Sequence, residues 1–306
     1  MSRTVWTFLI RRILGAAVFV AVVSTSALVL VRLAPGDAAT MLALKGTDAA
    51  TLEDIRQRYK IGLPLLDQLG DWVSGVARLD LGQSYLYGRP VAGLVIERAR
   101  RTALLATIVL VVATLIGLPL GVLTGARPRG LLAALISPLS IALVACPPIV
   151  GALALLLLAA TTGWLPTSPG SLAVPTLALA LPLAASLERL QSQATAESLA
   201  APDITAAAAR GVPRVRLIWI HAARQSLRPV LGVYGIVIGT LFSGSLAVEV
   251  ITGWPGLGRL MSDALVGRDL YLATGCALAG AILIALGNTV ADLLRAIVDP
   301  RIESGR

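Results

Sequence analysis

The sequence predicts an all-α protein that crosses a membrane six times. Its 306 residues are 56% hydrophobic and only 14% charged, whereas an ordinary soluble domain carries about 25% charged residues. A membrane-spanning helix needs roughly 20 apolar residues, and several stretches of this length have no acidic or basic side chain. Composition therefore excludes a soluble domain and predicts a polytopic membrane protein.

Uncharged stretches mark the predicted spans. Residues 131–187 carry no charge and are too long for one span, so we place a break at the turn residues of 161–170. The fourth span is predicted to be short and kinked, because it contains Pro175 and Pro182. The six predicted spans are residues 13–31, 102–126, 131–160, 172–187, 229–248 and 271–291.

The polar segments between the spans give the domain organisation. Residues 1–31 are predicted to hold a cytoplasmic N-terminus and the first span, which is longer than the apolar region of a cleavable signal peptide. Residues 32–101 are predicted to form a small extracytoplasmic subdomain with a short helix at 51–60. Residues 102–306 are predicted to form the core, including a cytoplasmic loop at 188–228.

Arginine counts orient the chain. The net charge is +9, and the short flanks predicted to be cytoplasmic are rich in arginine, whereas the 161–170 turn has none. The positive-inside rule therefore places both termini and the 188–228 loop in the cytoplasm. Arg98, Arg100 and Arg101 lie in the segment predicted to be extracytoplasmic, contrary to this rule. They do not reverse the orientation, because long loops cross the membrane largely regardless of charge.

The 188–228 loop contains a polar island with a helix–turn–helix pattern. Asp203 is predicted as the N-cap of a short alanine-rich helix, Gly211 as its left-handed closing turn, and Pro213 as the start of a second helix through residue 227. The predicted apolar face of the second helix comprises Val215, Ile218, Trp219 and Ala222, and its polar face comprises Arg214, His221, Arg224 and Arg228. A solvated loop is the plain alternative, and flanking spans argue against a DNA-reading helix.

The predicted spans carry no catalytic or metal-binding constellation. Cys146 and Cys276 are the only reactive side chains at membrane depth, and a single histidine with two thiols does not make a typical zinc site. No phosphate-binding loop of the G-x-x-x-x-G-K-[ST] form is present. Glu249 and Asp292 stand only at span ends, and Asn288 is the one amide of the last span, so the chain is not expected to energise transport by itself.

Several motifs in order resemble the permeases of binding-protein-dependent ABC importers, and most closely the dipeptide, oligopeptide and nickel branch. The resemblance covers nearly the whole chain. It departs from the branch at Asp203, Thr205 and Ala208 within the loop, and at Leu79 before the Asp80 to Ser84 motif. The matching motifs are Leu33 to Asp37, Asp80 to Ser84, Arg89 to Val91, the loop 203–229, Glu249 with Trp254 to Gly258, Asn288 with Asp292, and Asp299 to Ile302.

This resemblance implies the six-helix fold of type I ABC importer permeases and a location in the inner or plasma membrane. It implies four kinds of partner besides the lipid bilayer: a second homologous permease, two ATPase subunits, an extracytoplasmic substrate-binding protein and a peptide substrate. ATP and Mg²⁺ would bind the ATPase subunits and not this chain, and no nucleic acid is implied. The chain would have no catalytic or metal-binding residue of its own.

The resemblance also implies two functional sites. The site that docks on the ATPase would comprise Asp203, Ile204, Ala206, Ala207, Ala209, Arg210, Gly211 and His221. The outer loop or gate would comprise Glu249, Trp254, Pro255, Gly256 and Gly258.

The substrate and the class remain open on the sequence alone. Nickel or another small solute is the alternative within the family, since no specificity determinant is visible in the spans. A self-contained secondary transporter or channel and an intramembrane enzyme are the alternatives of a different class.

Overall fold

The computed structural model describes residues 3–33, 63–166, 168 and 170–298, and helices dominate them. A predicted helix at 51–60 and most residues of two predicted motifs, at 33–37 and 299–302, lie outside the described residues. The elements in chain order are α1 (Arg3–Leu33), α2 (Leu65–Ala77), β1 (Gln83–Ser84), β2 (Arg89–Pro90), α3 (Val91–Ala126), α4 (Leu131–Ala145), α5 (Pro148–Thr162), α6 (Ala173–Leu199), α7 (Pro202–Ala209), α8 (Arg214–Arg216), a π-helix (Leu217–Ala222), α9 (Ala223–Gly232), α10 (Tyr234–Thr252), α11 (Leu257–Val266) and α12 (Leu270–Val298).

The described helices confirm the predicted all-α membrane protein. Five of them, α1, α3, α6, α10 and α12, are long and apolar enough to cross a membrane. Helices α4 and α5 pass the same test as a bent pair, which raises the number of spans to six when the pair counts as one.

The predicted third span, residues 131–160, is broken in the middle. Helix α4 ends at Ala145, α5 begins at Pro148, and their axes differ by 105°. The helix breaks here because Pro147 and Pro148 lack the N–H groups that would continue α4. The predicted turn after this span is confirmed, since α5 ends at Thr162 and Gly163 is left-handed with φ of 69°.

Several helix ends differ from the predicted ones. Helix α3 starts earlier than predicted, at Val91 rather than at residue 102, whereas α10 starts later, at Tyr234 rather than at 229. The prediction of a short fourth span is wrong, because α6 continues to Leu199. Pro175 lies in the first turn of α6, where its missing N–H breaks no helical hydrogen bond.

The chain divides into two compact units. The first comprises Met1–Ala103 and Pro255–Ala285, and the second comprises Leu104–Trp254 and Leu286–Arg306. In the first unit, Leu28 of α1 packs with Trp72 of α2 and with Leu278 of α12. A second cluster there joins the start of α3 to α11 and α12.

The second unit has the larger apolar core. Its buried side chains come from α3, α5, α6, α9, α10 and the end of α12, with Leu105, Val109 and Leu187 fully buried. Two smaller clusters lie under the chain that follows α6, and they hold the segment described next.

Candidate functional site

Helix α7 is an eight-residue helix that closes on a glycine turn. Pro202 takes its first helical position, where a missing N–H costs nothing. Gly211 has φ of 85° and donates its N–H to the Ala208 carbonyl at 2.9 Å. Val212 donates to the Ala207 carbonyl at 3.3 Å. This pair of bonds is a Schellman motif, so the predicted glycine turn is confirmed.

The start of α7 differs from the prediction. Ala201 is the N-cap, and no side chain caps the helix. Asp203 lies in the first turn, where a negative charge interacts favourably with the helix dipole. The prediction of Asp203 as N-cap is wrong because Pro202, with its fixed φ, already occupies the first helical position.

The residues of α7 divide into a packed face and an exposed face. Ile204 and Ala207 are buried and pack against Leu217 and Ala222 of the following segment. These two residues therefore hold α7 in place. The other residues of the predicted docking site in this stretch are exposed: Asp203, Ala206, Ala209, Arg210 and Gly211. A partner can thus reach a face of small and charged side chains.

A π-helical turn at Leu217–Ala222 follows the glycine turn and was not foreseen. A π-turn inserts an extra residue, so it rotates the faces of the helix relative to regular α spacing. The predicted apolar face is therefore only half right: Ile218 is buried, but Val215 is 71% exposed and Trp219 is 44% exposed. His221 and the three arginines of the predicted polar face are exposed, as predicted.

Helix α6 buries a carboxylate where the sequence predicts a cytoplasmic loop. Glu188 is only 2% exposed. It accepts a hydrogen bond of 2.6 Å from the Thr124 hydroxyl of α3 and one of 2.7 Å from the Ser140 hydroxyl of α4. Sequence analysis missed this cluster because its members are far apart in the chain.

A second polar cluster lies one turn further along α6. The Gln191 side-chain amide donates to the hydroxyls of Ser226 at 2.6 Å and Thr195 at 3.0 Å. All three side chains are buried, and Ser226 belongs to α9. These bonds fasten the segment after α7 to the end of α6. The polar spacing of 188, 191 and 195 on one helical face was the available sequence signal.

Helices α3 and α6 approach each other at three glycines spaced four residues apart. A Cβ atom added to Gly117, Gly121 or Gly125 would lie 2.5, 2.5 and 2.3 Å from the carbonyl oxygens of Ala184, Glu188 and Ser192. No side chain fits between the two backbones, so only glycine permits this packing.

The predicted outer-loop residues are mostly buried. In the second unit, Glu249 near the end of α10 is fully buried and Trp254 is 5% exposed. In the first unit, Gly256 and Gly258 are buried and Pro255 is half-buried. The Leu257 N–H that follows them donates to the Thr102 hydroxyl at 2.7 Å.

A small hairpin in the first unit is fastened to the start of α12 by Asp269. Strands β1 and β2 pair antiparallel. Asp269, 1% exposed, accepts hydrogen bonds from the Ser84 hydroxyl at 2.6 Å and the Leu86 N–H at 3.2 Å. Its other oxygen accepts from Leu272 N–H at 3.1 Å, which caps α12. The motif from Asp80 to Ser84 thus shapes and anchors this hairpin.

Burial dominates the electrostatics of this anchor. Desolvation raises the pKa of Asp269, although hydrogen bonds from Ser84 and from the backbone act in the opposite direction. Burial and the nearby Asp269 charge raise the pKa of Tyr85 to about 12. Both shifts disfavour the ionised side chain inside the hairpin.

Metal-ligating side chains do not gather in the part of the chain that the structure describes. No group of three or more His, Cys, Asp or Glu side chains with the geometry of a metal site occurs among the described residues. Of the two thiols, Cys276 is buried and Cys146 is half-buried beside the break between α4 and α5.

Apolar spans, a broken helix and an exposed small helix between two spans define a multi-pass membrane protein. Comparison with protein families agrees. Residues 117–304 match the model described as "Binding-protein-dependent transport system inner membrane component". Residues 5–106 match the model for the N-terminal part of such components. The chain therefore belongs to the family of binding-protein-dependent transport system inner membrane components.

Curated relatives align along their whole length. The oligopeptide transport system permease protein AppB of Bacillus subtilis is 30% identical, over 97% of this chain and 99% of the relative. A putative peptide transport system permease protein of Brucella abortus is 30% identical over 96% and 98%. The glutathione transport system permease protein GsiC of Escherichia coli is 29% identical over 96% and 98%.

Proposed function

We propose that this chain is the permease subunit of an ATP-driven importer of di- and oligopeptides. The names of the similar permeases, which refer to oligopeptides, peptides and glutathione, support a peptide substrate. The chain forms half of the translocation pathway, and a second, homologous permease forms the other half. A binding protein on the outer side delivers the peptide, and two ATPase subunits bind ATP and Mg²⁺.

Helix α7 is the element that couples the chain to an ATPase subunit. The observation that carries this proposal is the division of α7 into two faces. Ile204 and Ala207 anchor the helix on the chain that follows, and the exposed face offers side chains without bulk around Ala206 and Ala209. A backbone of another protein can approach such a face closely. His221 stands exposed in the next segment, within reach of the same partner.

The outer loop from Glu249 to Gly258 is proposed to shape the entrance on the extracytoplasmic side. In the second unit, buried Glu249 and Trp254 support a structural role at the end of α10. In the first unit, buried Gly256 and Gly258 support such a role at the start of α11. This assignment goes with a cytoplasmic location of both termini, which rests on the arginine distribution.

Coupling through α7 is tested by replacing the glycine of its turn. Gly211→Pro removes the N–H that bonds Ala208 and imposes a negative φ where the chain needs 85°. We expect the reconstituted importer to lose binding-protein-stimulated ATP hydrolysis and peptide transport together. Gly163→Pro is the matched control, because Gly163 also has positive φ (69°) and donates its N–H to a helical carbonyl, at the end of α5.

Equal loss of activity in the Gly211→Pro and Gly163→Pro importers would contradict coupling through α7. Two other outcomes decide between classes. Peptide transport by this chain alone, without nucleotide, would establish a secondary transporter. Intact transport when Cys146 and Cys276 are both replaced by serine would exclude an intramembrane enzyme that depends on these thiols. Uptake of nickel but not of peptides would establish the alternative substrate.

A further inference from the structure

The break between α4 and α5 lines a cavity that the functions above do not use. The cavity has a volume of about 330 Å³ and lies wholly within the second unit. Its walls come from the two helix ends and from the middle of α6 and α10. This volume lies in the lower part of the range of small-ligand sites in proteins.

The break leaves a backbone acceptor at the cavity. In an α-helix, each carbonyl accepts the N–H of the residue four positions later, or three positions later in a tight last turn. For Val144, which lines the cavity, those residues are Pro148 and Pro147, and neither has an N–H. The Cys146 N–H does not bond the Val144 carbonyl, because it already donates to the Ala142 and Leu143 carbonyls.

The two helix ends at the break also place opposite partial charges side by side. The C-terminus of α4 carries a partial negative charge and the N-terminus of α5 a partial positive charge. Broken helices in transport proteins use such ends to hold polar parts of their solutes. Here both ends border one cavity, separated only by Cys146 and Pro147.

Two hydroxyl groups also line the cavity, and none of the described residues that line it is charged. Ser186 of α6 makes no hydrogen bond within the described part of the chain. Thr240 of α10 donates to the Val237 carbonyl at 2.9 Å, which leaves its oxygen able to accept. Leu179, Leu183 and Leu241 form the apolar remainder of the walls.

A cavity of this composition does not suit lipid. Backbone groups without a hydrogen-bond partner do not face hydrocarbon, and irregular backbone at membrane depth lines a water-filled or protein-lined space instead. A permeating solute that carries its own hydrogen-bonding groups meets this requirement. A peptide backbone does so at every residue, with one N–H donor and one carbonyl acceptor.

We propose that this cavity lines the solute pathway and binds the uncharged amide backbone of a translocating peptide. The Val144 carbonyl accepts hydrogen bonds from peptide N–H groups. The Ser186 and Thr240 hydroxyls bind peptide N–H or carbonyl groups, because a hydroxyl can both accept and donate. Because the walls carry no charge, peptides of different side-chain charge are held equally. The peptide ligand rests on the proposed function, whereas the location of the pathway rests on the cavity alone.

A native thiol reports on this proposal. Cys146 is half-buried and lines the cavity, while Cys276 is 1% exposed. The experiment uses the complete importer in lipid nanodiscs with Cys276→Ser, so that Cys146 is the only thiol of this chain. The labelling rate by a small, membrane-impermeant thiol reagent is measured with binding protein and nucleotide, with and without a saturating tripeptide. We expect the tripeptide to slow labelling of Cys146 several-fold.

Variants separate occupancy of the cavity from a change of conformation. Ser186→Ala and Thr240→Val should each raise the tripeptide concentration for half-maximal transport several-fold. Thr161→Val is the matched control, since this exposed hydroxyl of α5 bonds only carbonyls of its own helix. The control should transport like the parent protein.

Each outcome supports or overturns one part of the proposal. Normal tripeptide transport with unprotected Cys146, or with unaffected cavity variants, overturns the inference and leaves the proposed function standing. Absence of tripeptide transport overturns both the peptide substrate and the peptide ligand of the cavity. If nickel is then transported and protects Cys146, the cavity still lines the pathway, but for a different solute.

Discussion

Glu188 shows how a charged residue is accommodated inside an apolar bundle. Its carboxylate is almost completely buried, and hydroxyls from two other helices donate to its two oxygens. Removing one partner of a buried charged hydrogen bond is costly because the remaining groups keep their desolvation penalty. The side chain therefore joins α3, α4 and α6 at one point.

We predict that Glu188→Ala destabilises the protein by about 1–3 kcal/mol, because two buried hydroxyls lose their acceptor. Glu188→Gln should cost less, since the amide oxygen still accepts one of the bonds. The measurement is the thermal unfolding midpoint of the detergent-purified chain. Glu197→Ala on the same helix is the control, because Glu197 is exposed. Equal midpoints for Glu188→Ala and Glu197→Ala would contradict a structural role of the cluster.

Asp269 gives the first unit a predictable response to pH. Burial raises its pKa above the usual value of 3.8, so the fold favours the protonated carboxyl. The associated stabilisation is fully present below the ordinary pKa and is lost as pH rises through the raised one. We therefore expect the unfolding midpoint to fall as pH rises across this window, and Asp269→Asn to reduce that dependence.

The measurement for Asp269 is a series of thermal unfolding curves from acidic to neutral pH. Asp71→Asn, in the same unit but on α2, is the comparison for general charge effects. An Asp269→Asn protein whose pH dependence matches that of the parent protein would show that this carboxylate is not the titrating group.

At the scale of elements, the spans were predictable and their ends were not. Apolar stretches without charge place the spans correctly, because membrane helices need such stretches. The C-terminal end of α6 was not predicted, because its polar residues are buried and hydrogen-bonded to hydroxyls of Thr124, Ser140 and Ser226. A local sequence pattern cannot reveal these contacts. The π-turn also escaped, since local sequence carries no clear signal for an inserted residue.

In the candidate docking site, the glycine turn could be predicted from the sequence. Which residues of α7 are buried and which are exposed could not. Glycine at a helix end followed by proline is a strong local signal. Ile204 faces the interior of this chain because it packs against Leu217 and Ala222, which lie beyond the glycine turn. The local sequence of α7 does not reveal this contact. Sequence therefore located the site and structure separated its anchors from its exposed face.

The contact between α3 and α6 predicts opposite effects for two glycine substitutions. Gly121→Ala would place a methyl group 2.5 Å from the Glu188 carbonyl oxygen and should push the helices apart, lowering the unfolding midpoint. Gly151→Ala should be neutral or stabilising, because nothing lies within 4 Å of its added Cβ and alanine is the better helix former. The same sign for both substitutions in thermal unfolding would refute the close packing.

For the whole molecule, the proposed orientation can be tested with two cysteines. In a variant without Cys146 and Cys276, we place a cysteine at Arg210, beside the glycine turn, or at Arg259 on α11; both positions are exposed. An impermeant maleimide should label position 210 in inside-out vesicles and position 259 in right-side-out vesicles, as the positive-inside rule requires. Labelling of both positions from one side would overturn the assigned topology.

Helix α6 has a mechanical consequence. It runs for 27 residues without a break, about 40 Å at 1.5 Å per residue, and only Ala200 and Ala201 separate it from α7. The glycines of α3 pack directly against the backbone of α6 along one side. We therefore expect α6 to move as a rigid rod. A tilt of about 5° at the end near α7 then displaces the far end by roughly 3 Å over that length. A movement of α7 that tilts α6 by this angle would therefore shift residues across the full depth of the bilayer.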